Sequence, residues 1–434
     1  MIHLFSGRRF CLLLVAICAL GFGQWLETTI YLPDSSGPAA LCYNSTNNKV
    51  YSANNWSNSV TIIDGATNSV ITTVAAGSGP IALGYNTTNN KIYCANNQSN
   101  NVTVIDGATD QIINTVPAGY SPHALCYNPQ DNKIYCANVW SNDVTIIDGA
   151  TNSVITTLPT ERDSAWDLCY NSRNDKIYCV NRYLIGSFTV ISGRFDSVIS
   201  HRGAGGQPCA LCYNSGDNKI YCANRRGGVN IINGERDSII ASVGGTWGPC
   251  ALCYDSQDGR IFCADDEYHY QVDVIDGELN SIIATLTVDC DPIALGYNPL
   301  NNKVYCASYG NIMVIDAAQI QVIETFGGGC GGPHDICHNP RQNRMYVANQ
   351  EGSWITVLRD SGGGIEEGVT SERRAREISP SLIRGTFFLS QMTPIPLFDI
   401  FGRSVMLLRP GLNNIEALAP GVYFCYKQKL IVQH

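Results

Sequence analysis

At 434 residues the chain has the length for two or three domains and a sizeable core. Charge is sparse, with 28 Lys+Arg against 37 Asp+Glu and a formal net charge of -9, and no basic stripe offsets it, which excludes nucleic acid as a partner. Beyond the first two dozen residues nothing is long and apolar enough to form a transmembrane helix.

Residues 1–23 read as an export signal. Arg8 and Arg9 precede an apolar run from Cys11 to Phe22 that is too short to span a bilayer and ends in small residues, so cleavage is expected near Gly23. Cys18 follows Ile17 rather than a small residue, which argues against a lipoprotein. The expected destination is the exterior or the outer cell surface.

From Trp25 to Asp360 the chain repeats itself. A tyrosine recurs at Tyr43, Tyr85, Tyr127, Tyr170, Tyr213, Tyr254 and Tyr297, with His338 in the eighth copy, at spacings of 41 to 43 residues. Each copy holds only short strand-like runs and turn residues. In the second they are PIALGYN, KIYCAN, NVTVIDG and QIINTV, and no apolar spacing at i, i+3, i+4 points to a helix. A period of this size with four strands per copy predicts an all-β fold, an eight-bladed β-propeller, with seven blades as the alternative. Thr28 to Pro38, TTIYLPDSSGP, aligns without gaps on VITTVAAGSGP from Val70, so the N-terminus supplies a fourth strand that the eighth copy lacks, and the two fragments close the ring. The pattern of KVYSANNWSNSVTIIDGATNSVITTV resembles the YVTN family of β-propeller repeats, found in secreted and surface-layer proteins.

The 19 cysteines, two of them in the signal, fall mostly into two slots. One precedes the anchor tyrosine (Cys126) and the other follows the second-strand Tyr or Phe (Cys136). Gly84, Ser52 and Val347 take the same slots elsewhere, which favours small buried thiols, while a symmetric hairpin would set such a pair opposite one another and allow a disulfide. Cys209 with Cys212 and Cys250 with Cys253 have zinc-knuckle spacing, but three steps along a strand put them on opposite faces, so no metal is expected. The aspartate of VIDG (Asp64, Asp106, Asp148, Asp276) reads as turn chemistry.

Loops between first and second strands and between third and fourth are short and uniform, whereas the other two sets vary. Antiparallel pairing puts the variable sets on one face, the face free to acquire function. There lie Trp56, Trp140, Tyr183, Arg225, Arg226 and the DDEYHY run with Asp265, Asp266 and His269, together with Tyr120, Trp166 and Trp247 from loops leading to the central channel. Exposed aromatics among amides suit a protein or glycan partner. At the channel entrance Asp167 and Asp335 replace an otherwise usual Ala in the fourth and eighth copies, on opposite sides of an eightfold ring. With His123, His334 and Trp166 they are the candidates for cation binding or acid-base work, against the plainer reading of polar residues lining a wet channel.

Residues 361–377 shift to Gly, Glu and Arg and read as a linker. From 378 to 434 strand-like runs resume, and FDIFGRSV, PGLNN, LAPGVYF and KLIVQ are similar to the C-terminal sorting domain of proteins exported by the bacterial type IX system. That resemblance implies a small Ig-like β-sandwich that engages the export machinery. The expectation is a binding or interaction module without catalytic residues or cofactor. The alternatives are an enzyme like the lactonases or quinoprotein-type dehydrogenases built on related propellers, with a metal or cofactor at the channel mouth, and a self-assembling surface layer.

Overall fold

The computed structural model describes residues 24–33, 35–161, 164–183, 185–244, 248–266, 270–327 and 330–360, and the backbone of seven strands between 381 and 432. Contacts divide the chain into two units, Met1–Glu366 and Glu367–His434. In the first, 32 strands form eight four-stranded antiparallel sheets. Seven are continuous in sequence, from Pro38–Ala75 in blade one to Pro292–Gly327 in blade seven, each strand hydrogen-bonded to the next.

The second and third strands of a blade, such as KIYCAN and NVTVID, are almost wholly buried, because neighbouring blades cover both sheet faces. Tyr51, Val60 and Ile62 of blade one share a cluster with Ile92, Cys94 and Ile105 of blade two. Fourth strands, such as VITTVA, lie at the rim and stay largely exposed.

Blade eight is a composite. Pro333–Asp360 gives three strands, and Gln24–Tyr31 pairs antiparallel with Trp354–Asp360, from Gln24 opposite Asp360 to Tyr31 opposite Trp354. The ungapped alignment is off by two residues here. Ile30, not Leu32, takes the place of Val74, since Ile30 faces Ile355 as Val74 faces Val60. The chain absorbs the two extra residues before Pro38, and an even slip keeps the same side chains inward.

In seven of the blades a cation opening the second strand reaches the third-to-fourth turn of the next, while Lys303 of blade seven meets Asp360 at the end of the third strand of blade eight. Lys49 meets Asp110, Lys133 meets Asp196 and Lys176 meets Asp237, all at 2.8 Å. At the closure Arg344 donates from Nη1 to the carbonyls of Gly65 and Ala66 at 2.6 and 2.8 Å, and from Nε and Nη2 to Glu27 at 2.6 and 2.5 Å. One guanidinium thus joins the N-terminal strand, the last blade and the first.

All 16 cysteines described in the propeller are free. The opposed pair expected of a symmetric hairpin does not form, because four residues connect the strands. Cys126 faces Tyr135 and Cys136 faces Leu125, so the two thiols sit on opposite sheet faces. Asp64 accepts the backbone N–H groups of Ala66 and Thr67 at 2.9 and 2.8 Å, the turn chemistry expected of VIDG.

In the second unit, five strands form one sheet, with Ser381–Ile383 parallel to Gln428–Val432 and the remaining pairs antiparallel, and Thr386–Leu389 pairs with Gly411–Asn414. The Ig-like assignment and the linker expected at 361–377 rest on residues largely outside those described. Among the described residues no helix is long and apolar enough to cross a membrane.

Candidate functional site

Every first strand slips register just after its opening residue, between Pro122 and Ala124 in blade three and between Ala165 and Asp167 in blade four. The extra residue of this bulge is Ala39, Ile81, His123, Trp166, Cys209 or His334 in the blades that line the channel mouth. A bulge re-aims side chains, and here both the bulged residue and its successor reach the channel, as His334 and Asp335 do. The resulting cavity of about 330 Å³ is lined by His123, Trp166, Asp167, Cys209, His334 and Asp335 among smaller apolar residues.

The two carboxylates are held by the backbone. Asp167 accepts the N–H groups of Leu168 and, from the next blade, Leu211, both at 2.8 Å. Asp335 does the same with Ile336 at 2.8 Å and Leu41 at 2.7 Å. Each therefore staples adjacent blades. Burial still pushes both pKa values up to about 6, because two N–H donors do not fully replace water around the charge.

The histidines are equally anchored. His123 Nδ1 lies 2.9 Å from the carbonyl of Trp166, and His334 Nδ1 lies 2.8 Å from that of Ala39. A carbonyl only accepts, so Nδ1 carries the proton and Nε2 is left as an acceptor. Burial lowers both pKa values, which keeps the rings neutral at pH 7. The His123 ring lies 4.0 Å from Trp166, and the guanidinium of Arg182 lies 4.1 Å over the same indole. Sequence reasoning missed Arg182, whose signal was a cation directly after a buried Asn in a position that holds Asn97 or Val139 in other blades.

On the variable face the loops entering and crossing each blade are tied by backbone bonds, as from Trp140 N–H to Tyr120 O at 3.0 Å. Tyr120 and Trp140 are 64% and 78% exposed and flank a cleft of about 430 Å³ with Asn97, Gln98 and Asn100. Asn97 Oδ1 is buried beside Gly79 without a hydrogen-bond partner. Tyr183 and Arg226 are exposed, while Trp56 lies over Gly37, whose φ of +61° and lack of Cβ let the indole approach. Arg225 forms an ion pair with Asp266, so those two neutralise one another. Asp265 is fully buried at the end of a second strand, in the slot filled by Asn96 and Asn138 elsewhere, and is no surface residue. Trp247 and His269 lie outside the described residues. Among the described residues no three His, Cys, Asp or Glu side chains gather as a metal would need.

No protein-family model and no characterised protein sequence matches the chain. Solved structures do. A chain of hydrazine synthase from Kuenenia stuttgartiensis is 15% identical, with a TM-score of 0.55, covering 78% of this chain and 99% of that one. The computationally designed protein Ika8 is also 15% identical, with a TM-score of 0.64, covering 78% of this chain and 100% of that one. At such identity the likeness is one of fold alone, a β-propeller.

Proposed function

We propose that the protein is an exported, non-enzymatic binding module that takes carbohydrate on its variable face. The observation that carries this reading is the cleft between Tyr120 and Trp140. Two exposed aromatic rings offer flat apolar surface to sugar C–H faces, and the amides of Gln98 and Asn100 suit hydroxyl groups. The loops that present them are fixed by backbone hydrogen bonds, so little order has to be gained on binding. Against catalysis stands the state of Asp167 and Asp335, whose oxygens are engaged by backbone donors rather than turned to a substrate. Export rests on the signal-like residues 1–23 and on the resemblance of 397–433 to type IX sorting domains, which would place the module outside the cell.

The test is calorimetric titration of the mature protein with neutral glucose-based oligosaccharides. Trp140→Ala is expected to cost about 2 kcal/mol, roughly thirtyfold in affinity. Unchanged affinity in both Trp140→Ala and Tyr120→Ala would remove the cleft from consideration.

A further inference from the structure

We infer that the edge of the channel mouth, where Arg182 stacks on Trp166, is a carboxylate subsite with Arg182 as its anchor, so that the preferred ligand is an acidic sugar. The inference rests on the carbohydrate reading above and deepens it. Arg182 ends the second strand of blade four, Lys176–Arg182, and lies over Trp166, which lines the 330 Å³ cavity. Among the described residues it has neither a hydrogen-bond acceptor nor an ion-pair partner. A guanidinium carries five N–H donors and keeps its charge at any ordinary pH, and at half burial its donors are met by water, which a ligand carboxylate would displace with a charge-assisted pair. Burial lowers the Arg182 pKa, as expected of a cation partly stripped of water.

The neighbouring cation shows what the position wants. Arg225 occupies the same slot in blade five and has Asp266 for a partner, whereas among the described residues no carboxylate lies within ion-pair distance of Arg182, which feels Asp266 only as a more distant charge. The planar fork fits a carboxylate in two parallel hydrogen bonds. The two acidic groups in the cavity are held by backbone N–H groups, and neither Asp167 nor Asp335 forms an ion pair with Arg182. His123, with Nδ1 held by the Trp166 carbonyl, leaves Nε2 as an acceptor for a sugar hydroxyl. The cavity volume lies at the small end of the range for ligand sites, which suits a single sugar ring.

The experiment compares methyl glucuronide with methyl glucoside, sugars that differ only in the carboxylate, by calorimetry and by quenching of tryptophan fluorescence on the mature protein. The expected result is at least about tenfold tighter binding of the glucuronide, corresponding to 1.4 kcal/mol, with the preference abolished in Arg182→Met and glucoside binding unchanged. Should that variant fail to fold, the wild-type preference must narrow severalfold between low and high salt, as a charge contact at a partly exposed site does. Equal binding of both sugars, a preference that survives Arg182→Met, or a preference indifferent to salt would overturn the carboxylate subsite alone. Binding of neither sugar would overturn the carbohydrate reading with it. Inorganic phosphate bound as tightly as the glucuronide would also overturn the sugar-acid assignment, leaving a plain anion site.

Discussion

Asp175 marks a place where one atom is out of keeping with its repeat. At the junction of blades one and two, Asn44 Nδ2 donates to Asn90 Oδ1 at 2.8 Å, and Asn90 Nδ2 donates back to Asn47 Oδ1 at 2.6 Å. At the junction of blades three and four, Asn128 donates to Asp175 Oδ1 at 2.7 Å, but the second atom is now an oxygen facing Asp131. Asp131 Oδ2 and Asp175 Oδ2 are both buried without a hydrogen-bond partner, with Lys133 Nζ no nearer to Asp131 than 4.0 Å. Burial, and then the neighbouring Asp131, raises the Asp175 pKa. A carboxyl whose folded pKa is raised binds more protons folded than unfolded, so its contribution is fully present below about pH 4 and is lost as pH rises through the raised value. Asp175→Asn restores the donor, as Asn302 supplies one to Asp258 Oδ2 at 2.8 Å. The variant is expected to be more stable by about 1.5–3 kcal/mol at pH 7.5, the range for a hydrogen bond to a charged group, and by less at pH 5. Urea midpoints at the two pH values check it, and an equal or negative difference at pH 7.5 would refute the account.

The hairpin between third and fourth strands shows both how far the repeat could be read and where it stopped. Its αL position is held by Asn68, Asp110, Asn152, Asp196, Asp237 and Asn280, residues that tolerate positive φ, but in blade seven by Ile320 at +54°. A β-branched residue there is strained by roughly 1–2 kcal/mol, partly offset by packing against the core of blades six and seven. With no side-chain acceptor at 320, Arg260 replaces the usual Lys and donates to the carbonyls of Ala317 and Ala318 at 2.5 and 3.0 Å. Ile320→Asn should raise stability by about 1 kcal/mol, read as a higher thermal midpoint, and a lower midpoint would show that the packing outweighs the strain. Strand identity, blade number and the role of VIDG were legible because β-branched alternation and turn residues recur in every copy. The free thiols favoured by the small-residue slots are what the structure holds, and only the disulfide alternative fails, because loop parity, four residues rather than an odd number, keeps the two cysteines from facing each other. The channel mouth was half legible. The sequence pointed to Asp167, Asp335 and the two histidines, but a bulge has no residue signature of its own, and backbone N–H groups that consume a carboxylate leave no trace in side-chain identities.

At the scale of the whole molecule, the ring is held by one non-covalent joint. Deleting Gln24 to Leu32 strips the outer strand from Trp354–Asp360, removes Glu27 from Arg344 and leaves an unpaired edge in blade eight. The expected outcome is self-association in sedimentation and a lower melting temperature, and an unchanged monomer with unchanged melting would exclude a closing role for this strand. The joint also sets a clock. Tyr31 and Trp354 are about 320 residues apart, so a ribosome working at about 5–20 residues per second makes the first strand some 16–65 s before its partner exists. Until that partner has emerged, whether from the ribosome or on the far side of a membrane, the leading strand has nothing to pair with. Final closure therefore waits on the last strand of the propeller to be synthesised, and a chain that stalls before Asp360 stays an arc however well its first seven blades have folded.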